Sequence, residues 1–108
     1  MLLTKKKLTI NEEEYELEVN VGSMIQAERL SGTQFMSLVA EAEKGSIQNV
    51  SYLLASCLKK DGEPVGMKFI EAMNFSTFEE LFEPLFDLII KSFPTSDTKK
   101  NVVVVETR

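Results

Sequence analysis

The chain has 108 residues, 44% of them hydrophobic and 27% charged, and this balance favours one compact domain with a real core over wholesale disorder. A formal net charge of −5 argues against general binding to the phosphate backbone of nucleic acids, which requires a basic surface. One cysteine, Cys57, cannot form an internal disulfide, and the absence of histidine removes the usual zinc ligands and the histidine-based nucleophilic pairs.

The N-terminal residues alternate between apolar and polar side chains, which is typical of half-buried strands. The polar residues Asn11–Glu14 interrupt the alternation and have the length of a hairpin loop. Since Glu12 disfavours a positive φ, a four-residue loop built on a type I turn is expected. The pattern predicts a β-hairpin over residues 5–21, whose buried face carries these apolar residues: Leu8, Ile10, Tyr15, Leu17, Val19 and Val21.

After residue 21 the apolar period changes to that of a helix. Asn20 or Ser23 can cap a first helix, which Gly32 ends. Thr33 is expected to cap a second helix, which Gly45 ends. Two short helices are therefore predicted before residue 46.

A third helix is expected to begin at the cap residue Ser46 and to bury a stripe at helical spacing, formed by Ile47, Val50, Leu54 and Cys57 or Leu58. Lys59 and Lys60 are predicted to lie at the end of this helix, where cations interact favourably with the helix dipole. The composition of Asp61–Gly66 then predicts a turn.

Two further helical segments follow the turn. Met67–Asn74 is predicted to form a short helix. The last helix shows the spacing of a capping box, with Ser76 or Thr77 three positions before Glu79 or Glu80. Pro84 lies inside the apolar stripe of this helix and is expected to kink it or divide it in two, and Pro94 is expected to end it.

The C-terminal residues 95–108 have no amphipathic period and are polar as far as Asn101. An uncharged run of high β-propensity follows, formed by Val102, Val103, Val104 and Val105. This run can complete the hairpin as an internal third strand, or it can pair with the sheet edge of a partner or of a second copy. The sequence leaves both alternatives open.

Together these elements predict an α+β fold, in which an N-terminal β-hairpin packs against a bundle of four to five α-helices, with a C-terminal third strand as an option. We expect a single domain over residues 1–94, with the hairpin in 5–21 and the helices in 22–94. Residues 95–108 are expected to be a flexible or strand-adding tail. No apolar run in the sequence approaches the ~20 residues of a membrane helix. The Lys5–Lys7 cluster is not followed by the long apolar region that a secretory signal requires. A cytoplasmic location is therefore expected.

The acidic residues do not show the pattern of a catalytic pair. Glu12–Glu14 lies in a predicted loop and Glu79 and Glu80 in the first turn of a helix, and neither place supplies the buried setting that raises a carboxyl pKa. No glycine-rich phosphate loop or calcium-binding loop is present in the sequence. Cys57 is expected to be a buried, inert residue. We expect no enzyme activity, no cofactor and no metal site.

Methionine and phenylalanine are concentrated in the last third of the chain, and the side chains singled out there are Met67, Phe69, Met73 and Phe75. Adaptable methionines and large aromatic rings are typical of grooves that bind a partner helix. The same residues can instead fill the core. A protein-binding surface is the functional alternative that the sequence offers.

The segment from Lys7 to Val21, continued to Leu30-Ser31-Gly32, resembles the start of the tail assembly chaperones of siphophages and prophages of Gram-positive bacteria. Those proteins are similar in length, acidic, and open with a charged hairpin that is followed by a Leu-Ser/Thr-Gly step and a helical bundle. The resemblance covers residues 5–95. It departs from the family at Asn11-Glu12, where Asn-Gly is common.

The resemblance implies a non-enzymatic chaperone in the cytoplasm of the bacterial host. Such a chaperone binds the tape-measure protein and recruits tail-tube subunits. We expect no nucleic acid and no membrane among its partners. A homo-oligomer is compatible with the sequence. The family often makes a second, longer product by programmed frameshifting. The alternatives are a structural head–tail connector or tail-completion protein of the virion, and a small host regulatory module that binds one protein.

Overall fold

In the computed structural model, which describes residues 5–93, a four-stranded antiparallel sheet packs against six helices, and the predicted α+β class is confirmed. The sheet has the order β1-β2-β3-β4. The strands are β1 (Lys5–Ile10), β2 (Glu13–Glu18), β3 (Leu58–Lys60) and β4 (Glu63–Pro64). The helices are α1 (Val21–Ser31), α2 (Phe35–Glu43), α3 (Ile47–Cys57), α4 (Gly66–Glu71), α5 (Phe75–Glu80) and α6 (Phe82–Ser92).

The loop between β1 and β2 is shorter than predicted. Ile10 pairs directly with Glu13, so that only Asn11 and Glu12 remain in the loop, with φ values of 50° and 70°. Positive φ at both residues is the mark of a type I′ turn, whose twist matches that of the flanking strands. The expected four-residue type I turn was therefore wrong, because strand pairing holds Glu12 in a conformation that its side chain disfavours.

The hairpin ends at Glu18, earlier than the alternation of apolar residues indicated. The side chain of Asn20 accepts a hydrogen bond of 2.8 Å from the backbone N–H of Ser23 and caps α1, as one of the two predicted alternatives. Val21 is consequently the first residue of a helix and is 68% exposed. Its predicted place on the buried face with Leu17 was wrong, because the cap turns the chain before that face can continue.

A side chain of α1, and not the residue that precedes α2, caps the N-terminus of α2. Gly32 ends α1 in the left-handed region (φ 72°), as predicted. The expected cap by Thr33 was wrong: Gln34 occupies the N-cap position without a side-chain bond. The carboxylate of Glu28 instead accepts a hydrogen bond of 2.9 Å from the N–H of Phe35. A carboxylate at the positive end of a helix is a favourable partner for such an N–H group.

The third helix passes directly into a strand. Ser46 caps α3 as predicted, since its hydroxyl accepts from the N–H of Asn49 at 3.2 Å. The helix ends at Cys57, so the predicted place of Lys59 and Lys60 in its last turn was wrong. Both lysines belong to β3, which pairs with β2 and places the ammonium of Lys59 at 3.2 Å from the carboxylate of Glu18.

The predicted turn after α3 is the loop of a second, smaller hairpin. Asp61 and Gly62 connect β3 to β4 with φ values of 53° and 85°. Asp-Gly is one of the residue pairs that favour a two-residue hairpin loop, because glycine adopts a positive φ without steric cost. The strands on each side of it were not predicted from the sequence.

The last predicted helix is divided in two near Pro84, which is one of the two outcomes expected from this proline. α5 ends at Glu80 and α6 begins at Phe82, so Pro84 lies in the first turn of α6, where a missing N–H removes no intrahelical bond. The predicted capping box was wrong. The side chain of Asn74 caps α5 by accepting from the N–H of Thr77 at 3.0 Å.

The core is built around α3, which packs against α1, α2, α4 and the sheet. The fully buried leucines of the core come from β2, β3, α2, α3 and α6, and they are Leu17, Leu38, Leu53, Leu54, Leu58, Leu85 and Leu88. Each such side chain contributes about 1.5–3 kcal/mol by leaving water. Within residues 5–93, no helix combines the length and the apolar content that crossing a bilayer requires.

The end of the hairpin can be tested with two alanine variants. Leu17→Ala removes a fully buried side chain and is expected to lower the free energy of unfolding by about 2–5 kcal/mol. Val21→Ala removes an exposed side chain in a helix and is expected to change it by less than ~0.5 kcal/mol. Urea titration followed by circular dichroism measures both. Similar losses in the two variants would show that the strand continues to Val21.

The turn type can be tested at Glu12. Glu12→Gly removes the side chain that makes the positive φ at this position unfavourable, and it is expected to raise the free energy of unfolding by about 1 kcal/mol. Glu14→Gly, in the paired strand β2, serves as the control and is expected to lower it by roughly 0.5–1 kcal/mol. A loss of stability in both variants, measured by urea titration, contradicts the two-residue turn.

Candidate protein-binding groove

The large apolar side chains that remain exposed fall at three places on the described surface. Each place receives two of them. Val21 and Ile25 lie one helical turn apart on α1. Met36 on α2 and Ile90 on α6 line the same groove, and Ile47 on α3 and Phe75 on α5 line another.

The pair on α3 and α5 borders an open groove with a cavity of about 260 Å³. We call it the α3–α5 groove, and it is lined by Ile47, Ser51, Ile70, Glu71, Met73, Phe75 and Phe78. Its position follows from the fold, because α3 supplies one wall and the segment from α4 to α5 supplies the other. The groove is mostly apolar, with Glu71 as its charged lining residue.

Phe75 is presented to solvent by a rigid support. The residue is 55% exposed, and its ring centroid lies 6.0 Å from that of Phe78, which is buried. Phe78 in turn meets Phe82 edge to face at 5.1 Å. Aromatic rings in this arrangement attract each other, so the exposed ring is held at the groove by the core beneath it.

The four binding residues predicted in this part of the chain divide into two groups. Met73 and Phe75 line the α3–α5 groove. Met67 and Phe69 do not, and both are half-buried against the core. The ring of Phe69 lies 5.5 Å from that of Tyr15 on β2, which is the core-filling alternative that the sequence allowed.

Several groove residues were not predicted from the sequence, and Ile47 is the most exposed of the apolar ones. The helical spacing placed it on the buried stripe of α3 with Val50, and Val50 is indeed fully buried. Ile47 is 56% exposed, because it is the first residue of α3 and lies at the margin of the helix packing. Its place in the same groove as Phe75 depends on the tertiary fold, and the sequence carries no signal for it.

The second predicted binding element, Val102, Val103, Val104 and Val105, lies outside the described residues. Within residues 5–93, β2 pairs with β1 on one side and with β3 on the other. The third strand of this part of the sheet is therefore β3.

A second groove lies between α2 and α6 and encloses about 230 Å³. We call it the α2–α6 groove, and its lining residues are Met36, Val39, Ala40, Glu43, Ile89, Ile90 and Phe93. Phe93 is anchored there, because its ring centroid lies 6.0 Å from that of the buried Phe35. This groove lacks the exposed aromatic ring that marks the α3–α5 groove.

The carboxylate with a perturbed pKa is engaged in the sheet. Glu13 accepts a hydrogen bond from the ammonium of Lys60, and this bond together with the charge of Lys60 lowers the pKa of the Glu13 carboxyl. The same partner raises the pKa of Lys60, whose ammonium also lies 4.8 Å from the centre of the Tyr15 ring. A lowered carboxyl pKa is opposite to what a carboxyl general acid requires.

Within residues 5–93, no cluster of three or more metal-ligating side chains occurs.

Cys57 is enclosed at the end of α3 in the core. Burial raises the pKa of its thiol to about 12, against a smaller opposing effect of the Lys59 charge. Because a thiol ordinarily titrates near pH 8.5–9, the unfolded chain loses this proton first. The contribution of Cys57 to stability is therefore complete below about pH 9 and is lost as the pH rises towards 12.

The buried thiol can be tested by its reaction with a disulfide reagent. At pH 8 we expect the native chain to react at least ~100-fold more slowly than the chain in denaturant, since the thiolate is the reactive form and is inaccessible in the core. Between pH 9 and 11 the wild type is expected to lose more stability than Cys57→Ala, which lacks the titrating group. Rapid labelling of the native chain would contradict the buried position.

Comparison of the chain with models of protein families, with curated proteins and with solved structures found no match.

Proposed function

We propose that this chain is a non-catalytic protein-binding module and, within that class, a tail assembly chaperone that binds the tape-measure protein and recruits tail-tube subunits. The observation that supports binding is the α3–α5 groove, where Ile47 and Phe75 are each more than half exposed. Exposed apolar side chains around a concave, apolar lining are typical of protein-binding sites. The resemblance of residues 5–95 supports the narrower assignment.

The groove suits an amphipathic helix. Its lining offers an aromatic ring, a methionine side chain and aliphatic carbons to the residues that a helix presents at i, i+3 and i+4. The flexible side chain of Met73 can adapt to different apolar residues of the partner. A tape-measure protein with a long apolar stripe offers many such segments.

A cavity of this size holds only one or two apolar side chains, and this limits the affinity. Weak binding suits a chaperone, because many copies can cover a long helix and still be released when the tube polymerises around it. The net charge of −5 also favours keeping unbound copies apart. Selectivity then comes from repetition along the partner and not from one strong site.

The proposal is tested by capturing partners with the tagged full-length chain from cells in which phage tails are being assembled. We expect mass spectrometry to identify a long coiled-coil protein and a tail-tube protein, and we expect this chain to be absent from purified particles. Presence in finished particles would favour the connector or tail-completion alternative. Capture of one host protein alone would favour the regulatory alternative.

A matched pair of variants tests the groove in the same experiment. Phe75 and Met36 are each 55% exposed and each lies in the first turn of a helix, where glutamate is well tolerated. Phe75→Glu is expected to reduce recovery of the coiled-coil protein about tenfold, since it places a charge in the apolar groove. Met36→Glu, outside this groove, is expected to change it by less than about twofold. Equal effects of the two variants would exclude the α3–α5 groove as the binding site.

A further inference from the structure

The outer edge of β1 has no strand beside it within residues 5–93, where β1 pairs only with β2. Ile10 and Glu13 flank a two-residue loop and therefore form a hydrogen-bonded pair, from which the pattern alternates along the strand. By this alternation the backbone N–H and C=O groups of Lys5, Lys7 and Thr9 point away from β2. They form a row of donors and acceptors at an exposed sheet edge.

Two cavities of about 250 and 320 Å³ run along this edge, between β1 and the segment from α5 to α6. Together we call them the β1 groove. The first is lined by Leu8, Thr9, Ile10, Asn11, Thr77, Glu80, Leu81 and Pro84, and the second by Lys6, Lys7, Leu8, Glu83, Pro84 and Asp87. The groove thus extends over almost the whole length of β1.

The shape and chemistry of the β1 groove fit one added strand. Such a strand satisfies the free backbone groups of β1 and turns every second side chain towards the helices. In the first cavity, Leu8 and Ile10 on the sheet and Leu81 and Pro84 on the helices offer apolar surface to these side chains. The charged lining residues of the two cavities carry both signs: Lys6, Lys7, Glu80, Glu83 and Asp87. A short, uncharged run of β-branched residues therefore fits the apolar part of the groove.

We propose that the β1 groove binds Val102–Val105 of the same chain as a fifth strand of the sheet. This run is the one stretch of four consecutive β-branched residues in the sequence, and it carries no charge. The α2–α6 groove is a poorer site for it, because helix walls use their backbone groups internally and offer none to an extended chain. The proposal is independent of the chaperone function.

The chain is long enough for this pairing. The described part ends at Phe93, which the contact with Phe35 fixes at the end of α6. Pro84, in the β1 groove, lies about 14 Å back along the helix axis from Phe93. Residues 94–101 can span up to about 26 Å, so they allow the valine run to return to β1 in the same molecule.

The proposal is tested by disulfide cross-linking of the full-length chain. Thr9→Cys is combined in turn with Val103→Cys and with Val104→Cys, and each variant is oxidised at low micromolar concentration. Because successive side chains of a strand point to opposite faces, we expect one of the two pairs to cross-link strongly and the other weakly. The expected product is a monomer, formed on the order of 100-fold faster than any dimer, as intramolecular contact implies. Cys57 is buried and does not compete.

The control replaces Thr9→Cys with Glu41→Cys, on α2 and outside the groove, and is expected to give little cross-link with either valine variant. Mass spectrometry under non-reducing conditions identifies the products. Equal cross-linking of both valine positions, or of the control, would show an unpaired tail and overturn the proposal. A disulfide-linked dimer whose yield rises with protein concentration would assign the groove to a second copy. No cross-link at all would also overturn it.

Discussion

Leu58 follows the last residue of α3 directly and pairs with Leu17 of β2, and both side chains are completely removed from water. This contact makes the sheet and the helices share one core, since α3 packs against α1, α2 and α4 along the rest of its length. An isolated two-stranded hairpin is marginally stable. β3 covers the inner edge of β2 and, with β4, gives the sheet enough strands to support the helices.

Local signals in the sequence were sufficient for much of this fold. Alternation predicted the first hairpin, and the cap at Ser46, the end at Gly32 and the break near Pro84 were correct because each depends on a few neighbouring residues. The failures involve distant partners. Lys59 follows a helical pattern yet joins β3, since pairing with β2 outweighs the local preference, and the cap of α2 comes from Glu28, seven positions away.

The candidate groove also has some residues that local sequence features indicated and others that depend on distant parts of the chain. Met73 and Phe75 were recognisable as an unusual concentration of adaptable and aromatic side chains, although Met67 and Phe69 from the same set pack against the core. Ile47 could not be assigned, because its exposure depends on where α3 begins relative to α5. Sequence composition therefore indicated a candidate surface, and the packing of α3 against the segment from α4 to α5 decides which residues line the groove.

The carboxylate of Glu28 has a consequence for the order in which the helices form. Because it accepts from the N–H of Phe35, this stabilisation of the start of α2 requires that α1 is helical and that the turn at Gly32 has closed. We therefore expect the end of α1 and the start of α2 to open together. Amide hydrogens in the first turn of α2 should exchange with solvent together with those at the end of α1, as expected for two helices that open in a single event.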